Sequence, residues 1–245
     1  GGGSGMGREA ALQLARSGAQ VAVVDMNEAG MEETCSMADG ISAYRCDVSN
    51  LQEVEALVAR IESELGPIDR LTHCAAIMPA RPLAESNAGD INTMMAINYG
   101  GTVNMVQTVM PGMNERGRGD IIMFGSMAGD IPALTLGAYC ATKAATNSYA
   151  EILYHENRDG PLRFLLVCPP MVNTPLIDQA TEHGPASLLQ ARDAGKMATP
   201  EFIINAVETA IEKGRWVVRP GQAAFLSRWR RWFPGLLWKA IHAAP

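Results

Sequence analysis

GGGSGMGREA, residues 1–10, decides how the rest of the chain is read. Two alternatives are open for it. As a run of glycine and serine it has the composition of a flexible linker. As a turn built on Gly1, Gly5 and Gly7 it bends the backbone sharply, brings it close to a phosphate and lets a following helix pack tightly. The residues downstream favour the second alternative. The stretch 8–17 has helical character, Gly18 stops it, 20–24 is a short apolar strand, and Asp25 closes that strand. An acidic side chain about twenty positions after a glycine turn is the ribose-facing feature of a dinucleotide-binding βαβ unit, whose pyrophosphate rests on a helix N-terminus.

From Asp25 onward the alternation continues. Helical patterns at 28–37, 51–64, 91–113, 138–157 and 200–213 alternate with apolar strand patterns at 41–46, 68–75, 120–124, 162–167 and 216–218. Strands alternating with helices predict an α/β fold, a three-layer Rossmann-like doubly wound parallel sheet with helices on both faces. In such a fold a buried strand leads into the glycine turn, so the spacing predicts a first strand ahead of Gly1, in a longer protein than these 245 residues. Five or six buried side chains at about 1.5–3 kcal/mol each make that strand worth around 10 kcal/mol, comparable with a domain's whole stability. No internal repeat or linker divides the chain, which gives one domain over 1–220 and an amphipathic tail over 221–245.

Composition narrows the function classes. Apolar residues make up 47% and charged ones 19%, ordinary for a folded domain with a substantial core. Five scattered cysteines without C-x-x-C spacing suggest neither a disulfide framework nor a metal site, and fit a reducing cytoplasm. The net charge is −6; the tail beyond Gly221 has four basic residues and no acidic one, which leaves −10 on the rest. An acidic body argues against nucleic acid as a partner.

The chemistry concentrates in GSMAGDIPALTLGAYCATK, residues 125–143. Tyr139 and Lys143 lie four apart on a predicted helix and therefore share a face. A phenol has a reference pKa of about 10, too high for a base at neutral pH. One ammonium about 4 Å away contributes roughly 4 kcal/mol at an effective dielectric of 20, equivalent to about three pKa units. That coupling predicts a phenol poised for acid–base catalysis. Ser126, at the end of a strand, is placed to hydrogen-bond the same substrate oxygen, and Asn98 to organise the far side of the site. The pair taken alone reads equally well as a surface pair.

Taken in order and spacing, the glycine turn, Asp25, Asn98, Ser126, Tyr139 and Lys143 resemble the short-chain dehydrogenase/reductase family in its single-domain branch, over about residues 1–218. The resemblance implies hydride transfer between a nicotinamide and an alcohol or carbonyl carbon. Tyr139 would be the acid–base group, Lys143 would lower its pKa and hold the nicotinamide ribose, Ser126 would stabilise the substrate oxygen, and Asn98 would support a proton-relay water. It extends the cofactor contacts to Gly1, Ser4, Gly5, Met6, Gly7, Asp25, Asp47, Val48, Cys74, Ala75, Tyr139, Lys143, Pro169, Val172 and Thr174. Asp25 would accept both ribose hydroxyls and repel a 2′-phosphate, which favours NAD over NADP. Ser4, where NADP-using relatives often have a basic residue, agrees. Asp47 matches the adenine-contacting aspartate, with Ser49 and Gln52 assigned to the capping box of the next helix. His73-Cys74-Ala75-Ala76 departs from the usual Asn-Asn-Ala-Gly, and its two reactive neighbours point to opposite faces of a strand, so no metal is assigned.

Apolar residues are expected to border a small hydrophobic substrate: Met78, Ile131, Leu134, Leu136, Met171 and Leu176, beneath a lid at 175–197. Two further readings stay open: an NADPH-dependent long-chain ketone reductase similar to 3-ketosphinganine reductases, and a catalytically silent NAD-binding scaffold. The tail, with Trp and Arg over 225–242, suits peripheral membrane contact or a subunit interface. The expected setting is cytoplasmic with membrane association as an option, and the expected assembly is a homo-dimer or homo-tetramer.

Overall fold

Short apolar runs between helices predict strands buried on both faces. The computed structural model, which describes residues 1–180, 182–221 and 223–242, has that architecture. Strands β1 (Val21–Asp25) and β2 (Ile41–Arg45) pair in parallel, and β3 (Arg70–His73), β4 (Asp120–Phe124), β5 (Arg163–Val167) and β6 (Val217–Val218) form a second parallel sheet in that order. The run DIIMF of β4 is buried at all five positions. Its alternate side chains feed two cores, as the two-residue period of a strand requires. Ile121 and Met123 join α3 (Leu51–Leu65), α5 (Gly101–Arg116) and α7 (Gly137–Asn157) on one face; Ile122 and Phe124 join α1 (Gly5–Arg16) and α9 (Pro200–Glu212) on the other.

Local signals set the helix ends. Thr199 accepts from the Phe202 N–H with Pro200 in the first turn of α9, and Asn27 accepts from Gly30 at the start of α2 (Glu28–Ser36). The predicted helix over 91–113 is α4 (Ala88–Met95) and α5 joined by a π-helical turn, Ala96–Gly100. The remaining helices are α6 (Met127–Asp130), α8 (Ala186–Asp193), α10 (Ala223–Trp232) and α11 (Pro234–His242). At the amino end of the sheet the buried Asp120 is paired with Arg70 at 3.1 Å and Arg163 at 2.6 Å, which leaves the carboxyl end for binding.

The facing edges of β1 and β3 do not pair. Between them lies a cavity of about 880 Å³ walled by these two strands and by apolar side chains such as Ala10, Leu14, Val58 and Met105. Gly1 stands at its carboxyl end, with its nitrogen 2.6 Å from the Val24 carbonyl.

Candidate active site

Every candidate group lies at or just beyond the carboxyl ends of the parallel strands, where α/β sheets bind their ligands. The glycine turn is as tight as its sequence requires. Gly5 has φ +52°, a left-handed conformation, and a Cβ there would stand 3.0 Å from Thr174 Cγ2; a Cβ on Gly7 would collide with the Gly1 carbonyl. Ser4 is the N-cap of α1 and makes no side-chain cap bond, and no acidic residue occupies the first turn. The helix therefore presents free N–H donors to an anion. A dinucleotide pyrophosphate fits this cradle, and beside it a cavity of about 590 Å³ is lined by Gly3, Ser4, Gly5, Asn27 and Asn173. Met6 faces inward onto the core between α1 and α9.

Asp25 sits at the end of β1 against the turn. Burial raises its pKa, while the backbone N–H groups of Asn27, Gly3 and Met26 pull it down. Oδ1 accepts from Met26 and Asn27 at 2.8 and 3.0 Å, and Oδ2 from Gly3 at 3.0 Å. Asp25 thus orders the glycine turn before any diol arrives, a role beyond the one expected of it. The capping box beside Asp47 needs a correction. The cap of α3 is Asn50, whose side chain accepts from Gln52 and Glu53, not Ser49 with Gln52. Ser49 instead donates its N–H and hydroxyl to Asp47 Oδ1 at 2.9 and 2.7 Å, so both bonds land on one carboxylate oxygen. Val48 is buried against Gly101, and Cys74 and Ala75 close on Gly1 at the end of β3.

Ser126, Tyr139 and Lys143 meet where β4 gives way to α6. Ser126 caps α6, its Oγ accepting from the Ala128 N–H at 3.0 Å, and its side chain lies near enough to the Tyr139 phenol to lower that group's pKa. Lys143 shares the Tyr139 face of α7, with Nζ 5.8 Å from the ring centroid. The expected electrostatic coupling is not what this geometry delivers. Burial pushes the Tyr139 phenol up to about 12, with Ser126 pulling weakly the other way. Lys143 does not offset the burial, because Nζ is anchored on the Phe124 carbonyl at 2.7 Å and is itself buried, which lowers its pKa to about 8. His73, buried beneath, is held down to about 3 by burial first and then by nearby positive charge, including Lys143.

Asn98 is fully buried in the π-helical turn. Its amide pairs with both backbone groups of Ile77 at 2.8 and 2.9 Å and donates to Thr142 Oγ1 at 3.0 Å. The side chain is committed to pinning the loop after β3 onto α7. Asn147 went unnoticed in the sequence although it continues the Tyr139, Lys143 row by another four residues. Its Nδ2 donates to the Ser126 carbonyl at 3.1 Å and to Asp130 Oδ1 at 3.2 Å, fixing the serine from behind.

Around Tyr139 packs a cluster containing Met78, Leu136, Met171 and Leu176. Ile131 is buried but outside it, and Leu134 is 52% exposed, too far out on its loop to line the cluster. The stretch 175–197 supplies residues that spacing did not reveal: Ile177, Leu188 and Met197, with Gln179 Oε1 accepting from the Met78 N–H at 2.7 Å. Its neck is closed by a parallel bridge between Val172 and Ala198, with Ala198 donating to the Met171 carbonyl at 3.0 Å. Pro169 O accepts from Met127 at 3.1 Å, joining the start of this excursion to α6.

The short chain dehydrogenase family profile matches residues 1–184 of this chain. The chain belongs to the short chain dehydrogenase family. It is 31% identical over 235 residues to the probable oxidoreductase EphD of Mycobacterium tuberculosis, covering 90% of this chain and 40% of that protein, so it spans well under half the length of that relative. To 2-(S)-hydroxypropyl-CoM dehydrogenase 3 of Xanthobacter autotrophicus it is 30% identical, covering 84% of this chain and 85% of the relative. A short chain dehydrogenase/reductase from Burkholderia phymatum solved with NAD superposes with a TM-score of 0.85 at 26% identity, over 96% of this chain and 92% of that one. That neighbour holds NAD, and a second solved neighbour, a serine dehydrogenase, holds NADP+.

Proposed function

We propose that this short chain dehydrogenase moves a hydride between NAD(H) and a hydrophobic secondary alcohol or its ketone, with Tyr139 as the acid–base group. The observation that carries this reading is that Tyr139, with Ser126 near enough to act on its phenol and Lys143 Nζ 5.8 Å from its ring, belongs to one apolar cluster. When bound, the nicotinamide supplies or takes the hydride. The chain's own residues do the rest. Ser126, held by Asn147, hydrogen-bonds the substrate oxygen, and Tyr139 delivers its proton to that oxygen in reduction or removes it in oxidation. Lys143 keeps a positive charge over the ring, and the lid residues Ile177 and Leu188 keep water from the cluster.

A secondary alcohol is in keeping with the hydroxypropyl substrate named for the Xanthobacter relative. The apolar lining extends that class toward lipid, steroid or terpenoid carbonyls. A screen of such alcohols and ketones with each nicotinamide coenzyme tests the proposal. Turnover of a hydrophobic alcohol with NAD+ supports it, a strong NADPH preference overturns the role given to Asp25, and coenzyme binding without any turnover identifies a silent scaffold. The assembly proposed is a homo-dimer or tetramer, measured by sedimentation velocity.

Asp25 carries the coenzyme preference. Asp25→Asn keeps an acceptor oxygen for Met26 and Asn27 but removes the charge that binds a ribose diol and repels a phosphate. The kcat/KM ratio for NAD over NADP is expected to fall by about 10–100-fold, the range for charged hydrogen bonds worth about 1.5–3 kcal/mol. An unchanged ratio would place the discrimination elsewhere.

A further inference from the structure

The tail helix α10 has two unlike sides. Ala223 is buried and Ser227, four residues on, donates its hydroxyl to Asp130 Oδ2 at 2.8 Å, so this side lies against the body. Arg219 reinforces the attachment, with Nε 3.0 Å from the same oxygen. Phe225, Trp229 and Trp232 follow the i, i+4, i+7 spacing of a single face on the opposite side. They are 59%, 38% and 76% exposed, and the rings of Phe225 and Trp229 lie tilted against each other at 5.5 Å. Trp229 reaches on to Phe233 at 6.3 Å, and Leu236 and Trp238 extend the exposed apolar surface onto α11. Arg228 and Arg231 flank the aromatic row and are exposed, as is Lys239.

We propose that α10 and α11 dock this protein on the surface of an anionic lipid bilayer, with the aromatic row in the headgroup region and the flanking cations on lipid phosphates and carboxylates. Charge selects this occupant. The tail carries four basic residues and no acidic one, whereas the rest of the chain is at −10. A second copy meeting this patch about a two-fold axis would set cations against cations, because such an interface is formed by the same surface twice. An anionic lipid surface has no such conflict, and an aromatic row between arginines is the pattern of an interfacial helix. The tail charge acts locally, since repulsion from the acidic body is screened beyond about 8–10 Å at physiological ionic strength. The attachment point is also informative: Asp130 ends α6, the helix that Ser126 begins, so α10 is anchored to the element that carries Ser126.

The test is co-sedimentation of the intact chain with phosphatidylcholine vesicles, with and without phosphatidylserine, over a salt series. Binding is expected only when phosphatidylserine is present, weakening as salt rises. The double substitutions W229S/W232S and R228Q/R231Q are each expected to lower the bound fraction about tenfold or more. Both pairs touch exposed side chains, so Tm should stay at the parent value and separate lost docking from lost folding. Absence of binding by the parent chain, or equal binding by the variants, overturns the proposal. So does a larger assembly in sedimentation velocity that dissociates on W229S/W232S, which would make the face a subunit contact.

Discussion

Tyr139→Phe is expected to lower kcat by about three orders of magnitude, within the range of about 10²–10⁴ attributable to a positioned acid–base group. The substitution is a narrow one. The ring that packs with Leu136, Met78 and the stretch 175–197 is kept, and so is the surface over which Lys143 lies at 5.8 Å. Only the hydroxyl, on whose pKa Ser126 acts, is lost. NADH affinity and Tm should therefore stay close to the parent values, while turnover in both directions collapses. The pH dependence of the parent enzyme follows from the same burial. A phenol pushed up to about 12 is protonated throughout the neutral range, ready to donate to a carbonyl. Reduction should thus be insensitive to this group near pH 7, whereas alcohol oxidation, which needs the deprotonated form, should climb through the alkaline range. Turnover by the Phe variant within a few-fold of the parent would remove Tyr139 from the mechanism.

Lys143→Met should reduce activity by about 10²-fold or more while making the protein harder to melt. The two effects share one cause. Lys143 is 3% exposed, its Nζ donates to the Phe124 carbonyl, and burial lowers its pKa from 10.5 to about 8. Because the folded value lies below the unfolded one, the unfolded chain holds the proton more tightly between these limits. Stability contributed through this group consequently rises with pH from about 8 to 10.5, and its full cost is present below pH 8. Methionine fills similar volume without the charge. Its Tm advantage is expected to be largest at neutral pH, on the order of 5 °C, and to shrink toward zero as pH passes 10. The opposing loss is the unpaired Phe124 carbonyl, which stays constant with pH and cannot imitate the trend. A variant less stable than the parent at pH 7, or an advantage that grows with pH, would contradict a buried charged lysine.

Much of the architecture was legible because its signals are short-range. The run DIIMF reads as a strand covered on both faces, and α2, α3 and α9 each start at a side-chain cap. The glycine turn was legible for the same reason. Tyr139 and Lys143 fall on one face by helical geometry alone. The capping of α3 shows the limit even of local reading, since Asn50 and Ser49 are adjacent and equally able to cap. Only the bond of Ser49 to Asp47 decided between them.

What tertiary structure decided was everything that depends on neighbours far along the chain. The amino-acid order alone determined a parallel α/β domain, a phosphate-facing glycine turn and a tyrosine beside a lysine on one helix. It did not determine the sign of the tyrosine's pKa shift. Desolvation by the stretch 175–197 and the loop after β3 outweighs an ammonium that a carbonyl of β4 has drawn aside. Nor could it assign Asn98 to Ile77 or Asn147 to Ser126, partners 21 residues away in each case. Backbone propensity is set within a few residues, whereas dielectric environment and hydrogen-bond partners are set by which distant segments the fold brings together.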